Sequence, residues 1–279
     1  MNGNSKDNWE LYYRHVEGRP ASILLDMGLA DLAPRRDFPV LGHVSLTLLA
    51  PDDDGLAGVL EYAKLWDMEE ALTQAVAEEG PALYAGRCIR NGEADFYFYL
   101  PDHSAFGGGV ERAMAAFDGY SWSSASTADP DWEVYLNFLY PGPHDILAIQ
   151  NRRALARLEE MGDKHALPRL VEHWIDCPYA ADGEGLVLAL RRQGFITERL
   201  DPVPDGQEPL NGGSGFGTGA GIVAGTGPWA FSLRLTRQDN LEDIDALVFL
   251  LADTAREHGG VYLGWACAAT SADPAGDQP

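Results

Sequence analysis

The chain is short of positive charge. Its 279 residues include 20 lysines and arginines against 43 aspartates and glutamates, a formal net charge of −23. A surface of that sign repels phosphate backbones, so no direct nucleic-acid binding is expected and a basic partner is favoured. No run of eighteen apolar residues occurs, which excludes a membrane-spanning helix. The opening Met-Asn-Gly-Asn-Ser-Lys-Asp has no apolar core of the kind a secretion signal needs, and a cytoplasmic location is expected. Cysteine is scarce. Cys88, Cys177 and Cys267 are odd in number and far apart, which reads as reduced thiols rather than a disulfide framework or a metal-binding pair. The seven histidines form no H-x-x-x-H or H-x-H spacing, no EF-hand spacing occurs, and no Gly-x-Ser-x-Gly elbow is written. Catalytic residues, cofactor-binding residues and metal ligands are therefore all expected to be none.

What is present is enough for two cores. Splitting the chain near Pro143 leaves 23 acids and 9 bases before it and 20 acids and 11 bases after it, so both halves are acidic and neither is merely a charged tail. The expected domains are 1–143 and 144–270, with 271–279 as a disordered tail.

In the first half, Trp9 to Val16 and Ala21 to Asp26 read as two strands across Gly18-Arg19-Pro20. Residues 39–49 alternate as a strand, with Val40, Val44, Leu46 and Leu48 on one face. The Asp52-Asp53-Asp54-Gly55 break then supplies acidic capping residues. A helix of about twenty-three residues follows, with Leu65, Met68, Leu72 and Val76 at helical spacing, and Val59, Ala63 and Trp66 on a neighbouring stripe. Residues 82–100 form a hairpin around Asn91-Gly92. Its second strand sets Phe96, Phe98 and Leu100 against Tyr97 and Tyr99, so it is covered on both faces or leaves one face adhesive. A second helix at 106–117 and a strand near 120–127 lead to a run with Trp132, Tyr135, Tyr140 and Pro141. Together with Trp9, Gly18-Arg19-Pro20 and Gly86-Arg87, that run is similar to the bacterial domain of unknown function 695 over roughly residues 7–142. The resemblance implies an α+β fold and no assigned activity.

A polar-faced helix over 144–161 ends at Gly162. Beyond it the pattern reads βαββαβ: strands at 169–177, 195–200, 229–236 and 261–268, and helices at 183–193 and 241–258. That order predicts a ferredoxin-like antiparallel sheet with both helices on one face. The expected fold class is thus α+β in two domains, the N-terminal one an α+β sandwich of related construction. The glycine-rich stretch 212–221 fits a loose G-x-G-x-x-A through Gly215, Gly217 and Ala220, but no helix or Gly-Lys-Ser/Thr follows. It reads as a mobile hairpin loop. His173 shares a face with Val171, Ile175 and Cys177 and reads as a core histidine.

Alternation points to one candidate surface. Glu172, Trp174 and Asp176 oppose the apolar set of the first strand, Arg234 that of the third, and Tyr262 and Gly264 that of the fourth. An aromatic set ringed by charge has the make-up of a protein-binding hot spot. These six are the partner-binding candidates, unless the face packs on the other half of the chain.

The segment from Gly162 through His165, Pro168, Trp174 and Cys177-Pro178, followed by Gln193-Gly194-Phe195 and later by Gly259-Gly260-Val261-Tyr262-Leu263-Gly264-Trp265, resembles the RraB family. Those proteins are small, acidic, non-catalytic regulators that bind ribonuclease E and inhibit it. The resemblance implies a protein partner, ribonuclease E, and no enzyme activity. It departs in one place, since the family favours an aspartate where Leu263 stands. The competing reading is a small-molecule-binding or enzymatic protein with a pocket at the domain interface lined by Tyr97, Tyr99, Trp132 and Tyr135.

Overall fold

The computed structural model describes residues 8–104, 106–177, 180–200 and 231–270. The glycine-rich stretch, Trp229 and the expected tail lie outside them. The chain divides into two compact units, Met1–Asp145 and Ile146–Pro279, each taken by itself below.

Unit one is a six-stranded antiparallel sheet in the order β1-β2-β4-β5-β3-β6. Its strands are β1 (Trp9–Val16), β2 (Arg19–Asp26), β3 (Val40–Thr47), β4 (Leu83–Arg90), β5 (Glu93–Leu100) and β6 (Trp122–Ala128). Helices α1 (Val59–Glu79) and α2 (Phe106–Met114) pack on one face of the sheet. Asn91 and Gly92, both at positive φ, make the two-residue turn between β4 and β5 that their sequence foretells. Leu65, Met68, Leu72 and Val76 of α1 are buried against Val44, Leu46, Phe96 and Phe98. The neighbouring stripe is not: Val59 is 88% exposed and Trp66 60%.

The opposite face is closed by residues 129–140, which include a π-helical turn at Val134–Leu139. Trp132 stacks on Tyr99 at 3.8 Å between ring centroids, and its indole N–H donates to the Phe38 carbonyl at 2.9 Å. The Tyr135 hydroxyl donates to the Asp26 carbonyl and the Tyr12 hydroxyl to the Leu139 carbonyl, each at 2.8 Å. The aromatics on both faces of β5 are thus covered on both sides. Tyr97, Tyr99, Trp132 and Tyr135 are all buried, with ring neighbours in the same unit.

Unit two begins with α3 (Pro143–Glu160), most of which lies in it, and continues β7 (Arg169–Cys177), α4 (Ala180–Arg192), β8 (Ile196–Leu200), β9 (Phe231–Asp239), α5 (Ile244–Glu257) and β10 (Val261–Cys267). Its sheet runs β10-β7-β9-β8, antiparallel throughout. Leu186 and Leu190 of α4 and Val248, Leu251 and Ala255 of α5 bury Val171, Ile175, Leu233 and Leu235 on one face. This is the expected ferredoxin-like arrangement. Unit one repeats it. Its β3-α1-β4-β5-α2-β6 segment has the same element order, and its strands lie β6-β3-β5-β4, matching β10-β7-β9-β8 position for position. The hairpin β1-β2 extends that core at β4.

A buried ion pair braces the entry to β7. The Arg169 guanidinium donates to Asp163 and to the Lys164 carbonyl, while Lys164 N–H donates to the Thr270 carbonyl at 3.1 Å. Burial alone would raise the Asp163 carboxyl, but Arg169 and the Thr270 N–H hold it below its ordinary range.

Candidate functional site

The helix-free face of the unit-two sheet is built by strand register. Trp174 of β7 lies opposite Gly264 of β10 on one side and Arg234 of β9 on the other, and Arg234 lies opposite Glu198 of β8. One row of side-chain positions therefore crosses all four strands as Gly264, Trp174, Arg234, Glu198. Glu172 and Asp176 flank Trp174 on the same strand, because residues two apart share a face. Trp174, Glu172, Asp176 and Arg234 are all half-buried.

Arg234 is held from both sides. Its guanidinium bonds Glu198 and stands 3.6 Å from Glu172. Asp176 accepts a hydrogen bond from the Ser232 hydroxyl. Leu170 and Ile196, at 59% and 72% exposure, add apolar surface at the margins. Among the described residues a Cβ built on Gly264 would meet nothing within 4 Å, so the position across the strand pair from Trp174 is open. Four charged side chains, three of them carboxylates, thus share one face with a single tryptophan.

Tyr262 is not on this face, which corrects its expected position. The strand pairing of β10 with β7 slips between Tyr262 and Gly264, so that Tyr262 sits opposite Ile175 and Trp265 opposite His173. A β-bulge inserts one residue, and side chains three apart then point the same way. Gly264 takes φ +146°, a conformation that favours glycine. Tyr262 consequently turns into the helix-covered core, and Val261 turns out of it at 38% exposure.

In the core, Tyr262 and His173 share a hydrogen bond of 2.8 Å between the hydroxyl and Nδ1. His173 is fully buried, edge-on to Phe195, and its Nε2 has no hydrogen-bond partner among the described residues. Burial pushes its pKa down to about 3, with Asp239 opposing and Arg237 reinforcing the shift. It is a neutral core histidine. Trp265, beyond the bulge, keeps the helix-covered face, and its indole N–H donates to Asn151 of α3 at 2.7 Å, which in turn donates to Asp245 of α5 at 2.7 Å.

Among the described residues no group of three or more His, Cys, Asp or Glu is placed to hold a metal ion, and no helix is long and apolar enough to cross a membrane. Glu198 was missed by sequence reasoning. Its place opposite Arg234 depends on the β8–β9 register, and a connection of thirty residues (201–230) leaves that register unwritten in the sequence.

Residues 148–267 match the family model described as Regulator of ribonuclease activity B. Unit two is similar to that family over those residues. Residues 7–140 match the model described as a family of unknown function, DUF695, so the chain joins a DUF695 segment to an RraB segment. No curated protein matches. Among solved structures, one titled as an unknown protein from Galdieria sulphuraria is 14% identical, covering 82% of this chain and 98% of that one. Its TM-score of 0.22 is too low to compare the two in shape.

Proposed function

We propose that the RraB domain is a non-catalytic, protein-binding regulator that docks on a basic region of ribonuclease E or its scaffold and hinders RNA engagement. The family match over residues 148–267 carries this reading. The face around Trp174 supplies its means. Trp174 is the apolar anchor, Gly264 leaves room beside it, and Glu172, Asp176 and Glu198 outnumber Arg234, which biases the surface toward basic partners. An overall charge of −23 speeds encounter with such a partner and makes association sensitive to salt.

The test is calorimetric titration of the whole chain with the full-length ribonuclease E of its own host at two salt concentrations. Saturable binding that weakens with salt is expected, with Trp174→Ala losing about 2 kcal/mol or more, roughly a factor of thirty. A Kd weaker than about 10⁻⁵ M for the unmutated chain overturns the reading, as does tight binding indifferent to salt.

A further inference from the structure

Among the described residues the two sheets present four edge strands, and three of them are guarded. β1 carries Glu10 and Arg14; β8 has five residues, including Glu198 and Arg199; β10 is broken by the bulge at Gly264 and flanked by Leu158 and Met161 of the α3 region. Charges, shortness, bulges and cover are the means by which sheets keep their edges from recruiting another strand. Among the described residues the fourth edge has none of these, its one side-chain partner from outside the sheet being His103, which hydrogen-bonds the Ser126 hydroxyl at 2.9 Å. β6 reads Trp-Ser-Ser-Ala-Ser-Thr-Ala, seven residues with no charge and no proline, in unbroken register with β3 from Trp122 to Ala128. All but Trp122 and Ser126 are exposed.

The pairing pattern tells which backbone groups face outward. Thr47 N–H donates to the Ser121 carbonyl at 2.9 Å, and Asp129 N–H donates to the Pro39 carbonyl at 2.8 Å. The odd-numbered residues between them therefore exchange bonds with β3, and Trp122, Ser124, Ser126 and Ala128 turn their N–H and C=O groups away from the sheet. Among the described residues, none of these outward groups has a hydrogen-bond partner.

We infer that β6 is a docking edge that takes up an extended, basic segment of another protein as a seventh strand. The backbone supplies affinity by strand addition. The surroundings choose the sign of the guest: exposed Asp118 and Asp131 lie just beyond the two ends of the strand, and the chain up to Pro143 has 23 acids against 9 bases. A second copy of this chain would bring the same charge to the same edge, which disfavours self-pairing. This edge belongs to the DUF695 segment and stands independently of the RraB face.

Amide hydrogen exchange on the full chain tests this, with a peptide of about ten residues alternating lysine and valine as the probe. Saturating peptide is expected to slow exchange at Trp122, Ser124, Ser126 and Ala128 by about tenfold or more, leaving β1 unchanged. The same peptide N-methylated along one edge, added to the unmutated protein, should give no protection. Ser124→Pro, which removes an outward N–H, should abolish it. Three results overturn the proposal. One is no protection at all. Another is equal protection by a glutamate–valine peptide. The third is protection without peptide that grows with protein concentration alongside a doubled sedimenting mass, which would give the edge to a second copy.

Discussion

His173 sets an acid limit on the stability of unit two. Its pKa is about 3 when folded, held there chiefly by burial, against an ordinary value of 6.5. Between those values the unfolded chain binds a proton that the folded chain refuses, so stability falls as pH falls, and the contribution is fully present only above about 6.5. The slope from this one residue approaches about 1.4 kcal/mol per pH unit. Urea midpoints of the native chain and of His173→Leu, measured between pH 7 and 4.5, should diverge in slope by that sense and order. Parallel slopes would mean that the imidazole already protonates in the folded state. The histidine's place in the core was legible from its alternation with Val171, Ile175 and Cys177. Its bond to Tyr262 was not, because that tyrosine reaches it only through an irregularity in another strand.

That irregularity is the main lesson at the level of elements. Period-two reading of β7 and β9 gave their faces correctly, placing Trp174, Glu172, Asp176 and Arg234 together, since nothing interrupts their pairing over nine residue pairs. The same reading of β10 reversed Val261 and Tyr262, because one inserted residue changes the parity of everything before it. Gly264 was the one available sign of a bulge, and a lone glycine in a strand has several other causes. Its φ of +146° lets the bulge form. Gly264→Ala should destabilise unit two by about 1–3 kcal/mol through backbone strain alone, because the space where the methyl group would lie is open. Chemical denaturation of the variant checks this. A neutral result would show that β10 re-registers without cost. On α1 the helical period was right and one stripe was wrong. Val59 and Trp66 have the spacing of core residues but face away from the sheet that Leu65, Met68 and Leu72 meet.

For the whole molecule, composition sets the sign of the surface and is silent about shape. A net charge of −23 opposes compaction as well as like-charged company. Raising sodium chloride from about 0.02 to 0.15 M shortens the Debye length from roughly 20 to 8 Å and should raise the unfolding temperature of the whole chain. A melting temperature that falls with added salt would instead mean that its surface ion pairs outweigh the repulsion. The element order of both halves could be read from periodicity and turn chemistry. The strand order of unit two came with its ferredoxin-like reading, whereas that of unit one was expected only to be of related construction, because β6 joins its sheet through a pairing that lies far apart in the chain.

Two copies of one topology have met the same difficulty in different ways. A four-stranded ferredoxin-like layer carries helices on one side and must do something with the other. In unit one the chain itself provides the answer, laying Trp132, Tyr135 and Leu139 across Tyr12 and Tyr99 like a tethered guest that never leaves. In unit two the corresponding row holds Trp174 among carboxylates, and no helix of that unit packs there among the described residues. Cutting the chain before Asp129 would therefore turn unit one from a self-satisfied layer into one that seeks a visitor.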